Sequence, residues 1–204
     1  MTEMYDNINA IPGLEEKRYL EIGLYEGFIF GHIKAAEKYG IDIDTSKIKM
    51  KRTPDDKIFK MTSDQFFTIK NIGLFDVIFI DGAHDFETVL KDYNNSVKHL
   101  NKDGYIFLHD TYPLAADQAI PELCGTAYKI CYFLAKQKQP FVFCRHSMEG
   151  LGEYPQAVIK NPKSLPKPTD EIINATWDMF IESIKGIPLY QDNSFIAALD
   201  RGQA

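Results

Sequence analysis

The sequence is poor in cysteine, with three residues in 204, and no two of them form a C-x-x-C pair. An odd number without paired spacing favours free thiols over a disulfide framework or a thiolate metal site. Cys124, Cys131 and Cys144 fall in segments with the apolar character of a helix or strand. We therefore expect buried free thiols in a reducing compartment, with a bridge or a redox role as the alternative.

The sequence also lacks a long apolar run. No stretch approaches the roughly 20 residues that a bilayer-spanning helix needs. Residues 1–11 alternate acidic, polar and apolar types and have neither the basic nor the apolar region of a signal peptide. We therefore expect a cytoplasmic protein that is not inserted in a membrane.

Positive charge is the third shortage, because the formal net charge is -6. Binding to a nucleic-acid backbone needs a positive field over much of one face, so nucleic acid is not the expected main partner. A short basic run is the local exception: Lys47, Lys49, Lys51 and Arg52. It is either a solvated loop or a patch for an anionic substrate or nucleotide tail.

Short apolar runs that end in Asp, Gly or His predict strands at 19–22, 77–80 and 105–108. Residues 28–39 and 86–100 have helical spacing between these runs. The alternation predicts an α/β fold with a doubly wound, mostly parallel sheet. Because the strands are apolar on both sides, helices should cover both faces of that sheet.

Weaker patterns complete the predicted organisation. They indicate strands at 39–43, 57–61, 141–144 and 157–160, and helices at 64–69, 115–137 and 170–184. Region 145–155 is expected to be a hairpin or a mobile loop, and the proline-rich region 161–168 a surface linker. At 45% hydrophobic residues, we predict one domain over 1–204, with an N-terminal extension over 1–14 and a C-terminal helical extension over 161–204.

A glycine-bearing loop, residues 21–27, follows the first strand. Glycines at a strand-to-helix turn let the backbone bend sharply and a ligand approach closely. Gly23 and Gly27 are four residues apart and do not form G-x-G-x-x-G, which argues against a nicotinamide-dependent oxidoreductase. Glu21 before the loop suits a ligand with a cationic part better than a pyrophosphate. A tight turn without a ligand is the alternative.

An acid is expected at the end of the next strand, about 20 residues on, where it would bind ribose hydroxyls. Asp42 has this position, and Asp44 is the alternative because it faces the same side. Ser63 or Asp64, beyond the third strand, is placed to meet an adenine amino group. Each is equally well placed to act as a helix N-cap.

Acids and histidines follow two further strands, in Ile80-Asp81-Gly82-Ala83-His84 and Leu108-His109-Asp110-Thr111. The carboxyl ends of neighbouring parallel strands share one crevice, so we expect Asp81, His84, His109 and Asp110 to converge. Two carboxylates and two imidazoles suit Mg²⁺ or Mn²⁺. Structural histidines are the alternative.

Residues 19–30 and 75–111 resemble the class I S-adenosylmethionine-dependent methyltransferases. Within that class, the IDG-x-H and LHDT motifs resemble those of the group that includes the macrocin-type sugar O-methyltransferases, and the resemblance covers about residues 15–115. It implies a Rossmann-like fold in which Glu21, Gly23 and Gly27 form the methionine pocket and Asp42 holds the ribose. The chain departs from the pattern at Tyr25, where many members have glycine.

The resemblance also implies that Asp81 and Asp110 ligate a divalent metal, with His84 as the base. Sugar enzymes of this kind often have two acids after the fifth strand, where this chain has His109 before Asp110. Without a metal, His84 or His109 would act alone as general base. The predicted metal ligands are therefore Asp81, His109 and Asp110.

The predicted function is methyl transfer from S-adenosylmethionine to a hydroxyl of a small, sugar-like acceptor, assisted by Mg²⁺ or Mn²⁺. Phenolic acceptors, a non-catalytic cofactor-binding protein and an oxidoreductase are the alternatives. The predicted catalytic residues are His84 and His109. The predicted cofactor contacts are Glu21, Gly23, Tyr25, Gly27, Asp42, Ser63, Asp64 and Asp81.

The acceptor is expected to lie against region 112–153. Its candidate contacts are Tyr112, Tyr128, Tyr132, Arg145 and His146, although aromatic residues at helical spacing also suit a core. The expected partners are a small-molecule acceptor and a second copy of the chain bound through the C-terminal helix. Nucleic acid and membranes are not expected partners.

Overall fold

The computed structural model describes residues 3–148 and 152–202, without the side chains of residues 146–148 and 152–154. The described residues form one sheet in the order β3-β2-β1-β4-β5-β7-β6-β8. Its strands are β1 Arg18–Ile22, β2 Glu37–Asp42, β3 Asp56–Lys60, β4 Phe75–Ile80, β5 Leu100–Leu108, β6 Val142–Met148, β7 Gly152–Lys160 and β8 Leu189–Tyr190.

Strands β1 to β5 pair in parallel, whereas β7 is antiparallel to both β5 and β6. This mostly parallel sheet confirms the predicted fold class. The strand order reverses direction between β1 and β4, so a crevice opens beyond the carboxyl ends of these two strands. Ligands bind at such a switch point in open α/β sheets.

Helices cover both faces of the sheet. They are α1 Met4–Asn9, α2 Phe28–His32, α3 Ser63–Phe66, α4 Phe86–Lys98, α5 Lys129–Lys136, α6 Asp170–Ile173, α7 Trp177–Ser183 and α8 Ser194–Asp200. Residues of α1, α2 and α8 share one apolar cluster with Tyr19 and Val77. Residues of the other five helices belong to a second apolar cluster, which includes Leu20 and Ile78. Successive strand residues thus face opposite helical layers, as the doubly wound prediction requires.

The helix predicted over 28–39 is wrong beyond His32. Residues 37–41 instead pair with Arg18–Ile22 and form strand β2. Gly40 lies under α2, because a Cβ there would meet Leu24 at 2.8 Å and Phe30 at 3.0 Å. Hydrogen bonding to β1 and this close packing outweigh the local helical spacing.

The helices predicted over 115–137 and 170–184 are each interrupted. In the first, only Ala116–Gln118, a 3-10 turn, and α5 are helical; Pro121 lacks an N–H, and Gly125 has a φ of 54°. In the second, the Thr176 side chain accepts a hydrogen bond from the Met179 amide and starts a new helix, α7. Helices α1 and α8 and strand β8 were not predicted.

The cysteine prediction is confirmed, because Cys124, Cys131 and Cys144 are buried free thiols. The hairpin alternative for region 145–155 is also confirmed by the antiparallel pairing of β6 with β7, although residues 149–151 lie outside the described residues. None of the described helices has the length and apolarity needed to cross a bilayer. That the whole chain is one domain stays a prediction.

The proline-rich linker 161–168 has no regular structure, as predicted, but it is tied to helix α4. The Asn94 side chain donates to the Leu165 carbonyl at 3.1 Å and accepts from the Leu165 amide at 2.7 Å. The Tyr93 hydroxyl donates to the Lys163 carbonyl at 3.1 Å. These bonds satisfy linker backbone groups that have no strand partner.

Replacing Asn94→Ala should lower the free energy of unfolding by about 1–3 kcal/mol, because two partly buried backbone groups lose their partner. Urea denaturation measures the change. Asn95→Ala is the matched control, since Asn95 is the next residue on α4 and makes a single exposed bond to Asp64. The control should change stability by less than about 0.5 kcal/mol. Equal effects of the two variants would contradict the role given to Asn94.

Candidate functional site

Two cavities meet at Gly23, in the crevice between the carboxyl ends of β1 and β4. The larger measures about 490 Å³ and the smaller about 230 Å³, and Gly23 lines both. Gly23 has a φ of 88°, and a Cβ there would lie 2.2 Å from the carbonyl oxygen of Asp81. Only glycine fits this close approach of the first loop to the end of β4.

The cavities bring together most of the predicted cofactor contacts. Four of them line the larger cavity: Glu21, Gly23, Tyr25 and Asp81. The smaller cavity is lined by Asp42 and Ser63. The structure places Gly27 and Asp64 outside both cavities.

The positions of Gly27 and Asp64 have local causes. Gly27 starts α2 with a φ of 78°, and a Cβ there would meet Met50 at 3.0 Å, so it faces the protein rather than a cavity. The carboxylate of Asp64 accepts from Asn95. The N-cap alternative for Ser63 and Asp64 is wrong, because Thr62 caps α3 by accepting from the Gln65 amide.

Glu21 places a buried carboxyl group at the floor of the larger cavity. The Tyr19 hydroxyl donates to Glu21 Oε2 at 2.5 Å. Burial raises the pKa of Glu21 to about 8, although this bond and the charge of Lys38 favour the carboxylate. A cationic ligand group beside Glu21 would favour ionisation, so the site is suited to a ligand that carries positive charge.

Asp42 organises the loop above the smaller cavity. Its Oδ2 accepts from the amides of Leu24 at 2.8 Å and Tyr25 at 3.0 Å, and its Oδ1 accepts from the Asp44 amide at 2.8 Å. The bond to Tyr25 helps to hold that residue at a φ of 48°, which is uncommon for a residue with a side chain. Asp44, the alternative ribose ligand, instead bonds Ser46 through its carboxylate.

The sequence analysis missed Asp92, a buried residue of α4 that lines the smaller cavity. Ser63 Oγ donates to Asp92 Oδ1 at 2.5 Å. Burial raises the pKa of Asp92 to about 6, although the bond from Ser63 opposes the shift. Asp92 lies within a helix and belongs to no recognisable motif. The one signal for it in the sequence was a polar residue among the apolar residues that recur at helical spacing over 86–100.

The acids and histidines after β4 and β5 form one cluster. His84 Nε2 lies 3.0 Å from Asp110 Oδ2. His109 Nδ1 lies 2.9 Å from Asp81 Oδ1 and 3.1 Å from Asp110 Oδ2. The structure therefore brings the four predicted residues into direct contact.

Electrostatics in this cluster favour ion pairing. The hydrogen bond to Asp110 raises the pKa of His84 against the effect of burial. Burial opposes the charged form of His109, but the carboxylates of Asp81 and Asp110 outweigh it and raise its pKa well above the usual range. The pKa of Asp110 is lowered despite its burial, because both imidazoles favour its carboxylate. Histidine and carboxylate thus stabilise each other's charged forms.

The backbone beside the cluster positions His84. The Thr126 amide donates to the His84 carbonyl at 2.7 Å, and the Thr126 side chain accepts from the Phe86 amide at 2.9 Å. Gly125 lies so close that a Cβ there would be 2.3 Å from the His84 carbonyl oxygen. The segment 124–126 therefore fixes the start of α4 and the residues before it.

Ligand atoms of Asp81, His84 and Asp110 all lie within 4.8 Å of one another. Two carboxylates and an imidazole at this separation fit a divalent cation such as Mg²⁺ or Mn²⁺. In this set His84 takes the place that the sequence analysis gave to His109. The His109 side chain is only 8% exposed and already contacts both carboxylates through Nδ1.

Helix α1 supplies part of the wall of the larger cavity through Glu3, Met4 and Tyr5, and Phe28 of α2 lies beside them. The sequence analysis treated this region as an extension. The spacing of Met4 and Ile8, four residues apart and both buried, was a signal that α1 packs on the body.

Three tyrosines of the predicted acceptor wall line neither of these two cavities, although Tyr132 lines a separate cavity of about 570 Å³ with Lys136 and Glu171. Tyr112 packs edge-on against Phe143, with ring centroids 4.7 Å apart. The hydroxyl groups of Tyr128 and Tyr132 bond Ala175 and Glu171. The alternative, that these rings belong to the core, is correct.

Arg145 and the basic run were the other candidates for substrate contacts. Arg145 lies on β6, and its carbonyl accepts from the Asn7 side chain at 3.0 Å; the side chain of His146 lies outside the described residues. In the basic run, Lys49 pairs with Glu26, and Lys47 lies 5.6 Å from the Tyr25 ring centroid. These two lysines therefore lie beside the glycine loop.

Residues 20–111 match the family model described as "Methyltransferase domain". No curated protein matches the sequence. Three solved structures are similar in fold. The N-methyltransferase NodS from Bradyrhizobium japonicum WM9 is 15% identical, with a TM-score of 0.54, covering 77% of this chain and 93% of that chain. NodS has also been solved with S-adenosyl-L-homocysteine.

A putative caffeoyl-CoA O-methyltransferase from Staphylococcus aureus is 15% identical, with a TM-score of 0.59, covering 78% of this chain and 82% of that chain. A putative O-methyltransferase from Klebsiella pneumoniae is 11% identical, with a TM-score of 0.56, covering 76% and 77%. At these identities the likeness shows the fold. The family match over residues 20–111 agrees with the resemblance stated from the sequence.

The raised pKa of Glu21 predicts a pH dependence of stability. Between its ordinary value of 4.5 and about 8, the unfolded chain releases a proton that the folded protein keeps. Folding stability should therefore fall as pH rises through this window, by up to about 1.4 kcal/mol per pH unit. Glu21→Gln should make this slope shallower and raise stability at about pH 8, because the amide does not ionise and keeps the bond from Tyr19. Asp92 and His109, whose pKa values are also raised, keep part of the slope.

Urea denaturation across the window measures the slope for the wild type and for Glu21→Gln. Glu16→Gln is the control, because Glu16 is an exposed carboxyl on the same segment, before β1. The control should leave the slope of the wild type in place. A slope in Glu21→Gln that is as steep as in the wild type would contradict the assignment.

Proposed function

We propose that this chain, whose residues 20–111 match the model of a methyltransferase domain, transfers the methyl group of S-adenosylmethionine to a hydroxyl of a small, sugar-like acceptor. The domain match and the shared fold support the class of S-adenosylmethionine-dependent methyltransferases. The acceptor, the metal and the residue roles below are part of the proposal.

The observation that carries the proposal is the pair of cavities that meet at Gly23. The methionine part of the cofactor fits the larger cavity, where Glu21 offers a carboxyl to its positive charge and Tyr25 and Asp81 form walls. The adenosine fits the smaller cavity, where Asp42 faces the ribose and Ser63 the adenine. One ligand that is cationic at one end and a nucleoside at the other would fill both.

The acceptor hydroxyl attacks the methyl carbon in line with the departing sulfur. The new C–O bond forms as the S–C bond breaks, the electron pair stays on sulfur, and the product is S-adenosylhomocysteine. Holding the three atoms collinear supplies much of the acceleration. The hydroxyl proton goes to Nδ1 of His84, because its Nε2 is held by Asp110.

A divalent ion bound by Asp81 and Asp110, with His84 as a third donor, would lower the pKa of an acceptor hydroxyl. His109 lines the larger cavity and fixes the positions of these carboxylates through its contacts with both. Its pKa is raised well above the usual range, so its imidazole stays protonated and does not accept a proton. In the protein without an ion, this leaves His84 as the base. His109 is then a positioning residue and not a second base.

The further expectations from the sequence are also proposals. The net charge of -6 favours a small-molecule partner over nucleic acid. A cytoplasmic location and the lack of a membrane partner stay expectations from the sequence. Helices α6 and α7, which lie where one last helix was predicted, pack on the body through Ile172 and Phe180, which are buried. Ile173 and Met179 are exposed and would face a second copy of the chain if a homo-oligomer forms.

Isothermal titration with S-adenosylhomocysteine tests the cofactor site. We expect the wild type to bind, and Gly23→Ala to lose at least about tenfold in affinity, because its Cβ would push the loop from Asp81. Gly186→Ala is the control: it shares a positive φ of 91° but has open space around the new methyl group. No binding by the wild type would refute the proposal.

Methyl transfer from labelled S-adenosylmethionine to a panel of hydroxylated sugars tests the chemistry. His84→Ala should lower the rate roughly 10²- to 10⁴-fold and keep the affinity for S-adenosylhomocysteine, since His84 handles the proton and not the cofactor. The wild-type rate should rise with pH through a value above 6.5, the ordinary pKa of histidine, because the hydrogen bond to Asp110 raises the pKa of His84.

Two outcomes of this assay decide between alternatives. A fall in the wild-type rate on adding EDTA, restored by Mg²⁺, supports assistance by a metal. Binding of S-adenosylhomocysteine without transfer to any acceptor would favour the non-catalytic cofactor-binding alternative. An undiminished rate in His84→Ala would contradict its role as base.

A further inference from the structure

Exposed aromatic surface is concentrated at one place on the described part of the chain. The exposed large hydrophobic side chains there include only two aromatic ones, Tyr25 at 66% and Phe28 at 55%. Both line the larger cavity. An exposed aromatic ring that is not covered by the core is a common feature of a binding surface.

Tyr5 extends this surface across the cavity mouth. Its ring stands edge-on to Phe28, with centroids 5.8 Å apart, and it stacks on His32 at 4.5 Å. Helix α1 is fixed on the body by Asn7, whose side chain donates to the Arg145 carbonyl at 3.0 Å. The rings of Tyr5 and Phe28 therefore form a supported wall rather than two separate side chains.

The remaining walls of the cavity are apolar at Met4, Leu24 and Ile29 and acidic elsewhere. They carry four carboxyl groups, from Glu3, Glu21, Glu26 and Asp81, against the imidazole of His109. Lys49 pairs with Glu26, so the net charge of the cavity wall is negative or neutral. A ligand anion placed here would meet like charges, whereas an uncharged or amine-bearing ligand would not.

We propose that Tyr5 and Phe28 form the acceptor subsite of this protein, which takes a hydroxylated six-membered ring that is uncharged or carries an amine. The apolar face of the ring packs on the two aromatic side chains, and its hydroxyl edge points toward Asp81. The cavity of about 490 Å³ is in the range of small-ligand sites, and this ring would share it with the methionine part of the cofactor. The inference rests on the proposed function, because it assigns the Glu21 side of the cavity to the cofactor.

Saturation-transfer NMR tests the subsite with four probes of matched ring size: a methyl glucoside, the corresponding amine, the corresponding carboxylate, and catechol. The spectra are recorded on the protein with and without S-adenosylhomocysteine. We expect signals from the ring C–H protons of the neutral and amine-bearing probes and none from the carboxylate. A signal from catechol alone would also support the subsite and would assign it to phenolic acceptors.

Phe28→Ala and Tyr5→Leu should each lower the affinity for the probe roughly three- to tenfold, because each substitution removes one aromatic contact. Leu74→Ala is the matched control, since Leu74 is exposed but precedes β4 at the opposite edge of the sheet. Thermal unfolding verifies that each variant is folded. If Tyr5→Leu is unfolded, Phe28→Ala decides alone, because Phe28 is exposed.

Equal binding of the carboxylate probe, no signal from any probe, or unchanged binding in a folded Phe28→Ala variant would each overturn the subsite. These outcomes are separate from a failure of the proposed function. Titration with S-adenosylhomocysteine reports the cofactor site by itself, so intact cofactor binding without the expected probe pattern refutes only the subsite. Absent cofactor binding refutes the proposed function whatever the probes do.

Discussion

The close approach of Gly23 to the Asp81 carbonyl is the constraint on which the rest of the site depends. It lets the loop after β1 rest against the end of β4, with the larger cavity on one side and the smaller on the other. Asp42 then ties the loop from the far side through the amides of Leu24 and Tyr25. The switch point of the sheet becomes a shaped site because Gly23 has no side chain and because the carboxylate of Asp42 holds the loop that carries Gly23.

Buried charge is distributed unevenly around this loop. Glu21 is desolvated and has no cation in direct contact, so its pKa is raised, whereas Asp110 touches two imidazoles and its pKa is lowered. The first arrangement costs stability in the free protein and can be offset by a cationic ligand. The second is satisfied internally and holds its members in place. Titratable groups whose pKa values are shifted in opposite directions within one crevice are typical of functional sites.

The fold and the strand-end residues were predictable because their signals are local. The apolar runs that end at Asp81 or just before His109 can be recognised without reference to the rest of the chain. The parallel sheet follows from the alternation of these strands with helical segments. The strand predicted at 39–43 agrees with β2, whereas residues 37–38 were predicted as helix, since pairing with β1 outweighs their own preference. Asp92 and Tyr5 reach the cavities only through tertiary packing. Sequence periodicity cannot show whether the tyrosines at 112, 128 and 132 pack in the core or line a ligand site.

Helix α1 has six residues, and an isolated helix of that length does not persist in water. The wall that it gives to the larger cavity therefore exists only while Met4, Asn7 and Ile8 remain packed against the body. Detaching this helix would lose these contacts together with those of Tyr5 to Phe28 and His32. The free energy of docking a short helix thus contributes to the affinity of any ligand that needs a closed cavity, and it sets how readily the cavity exchanges its contents with solvent.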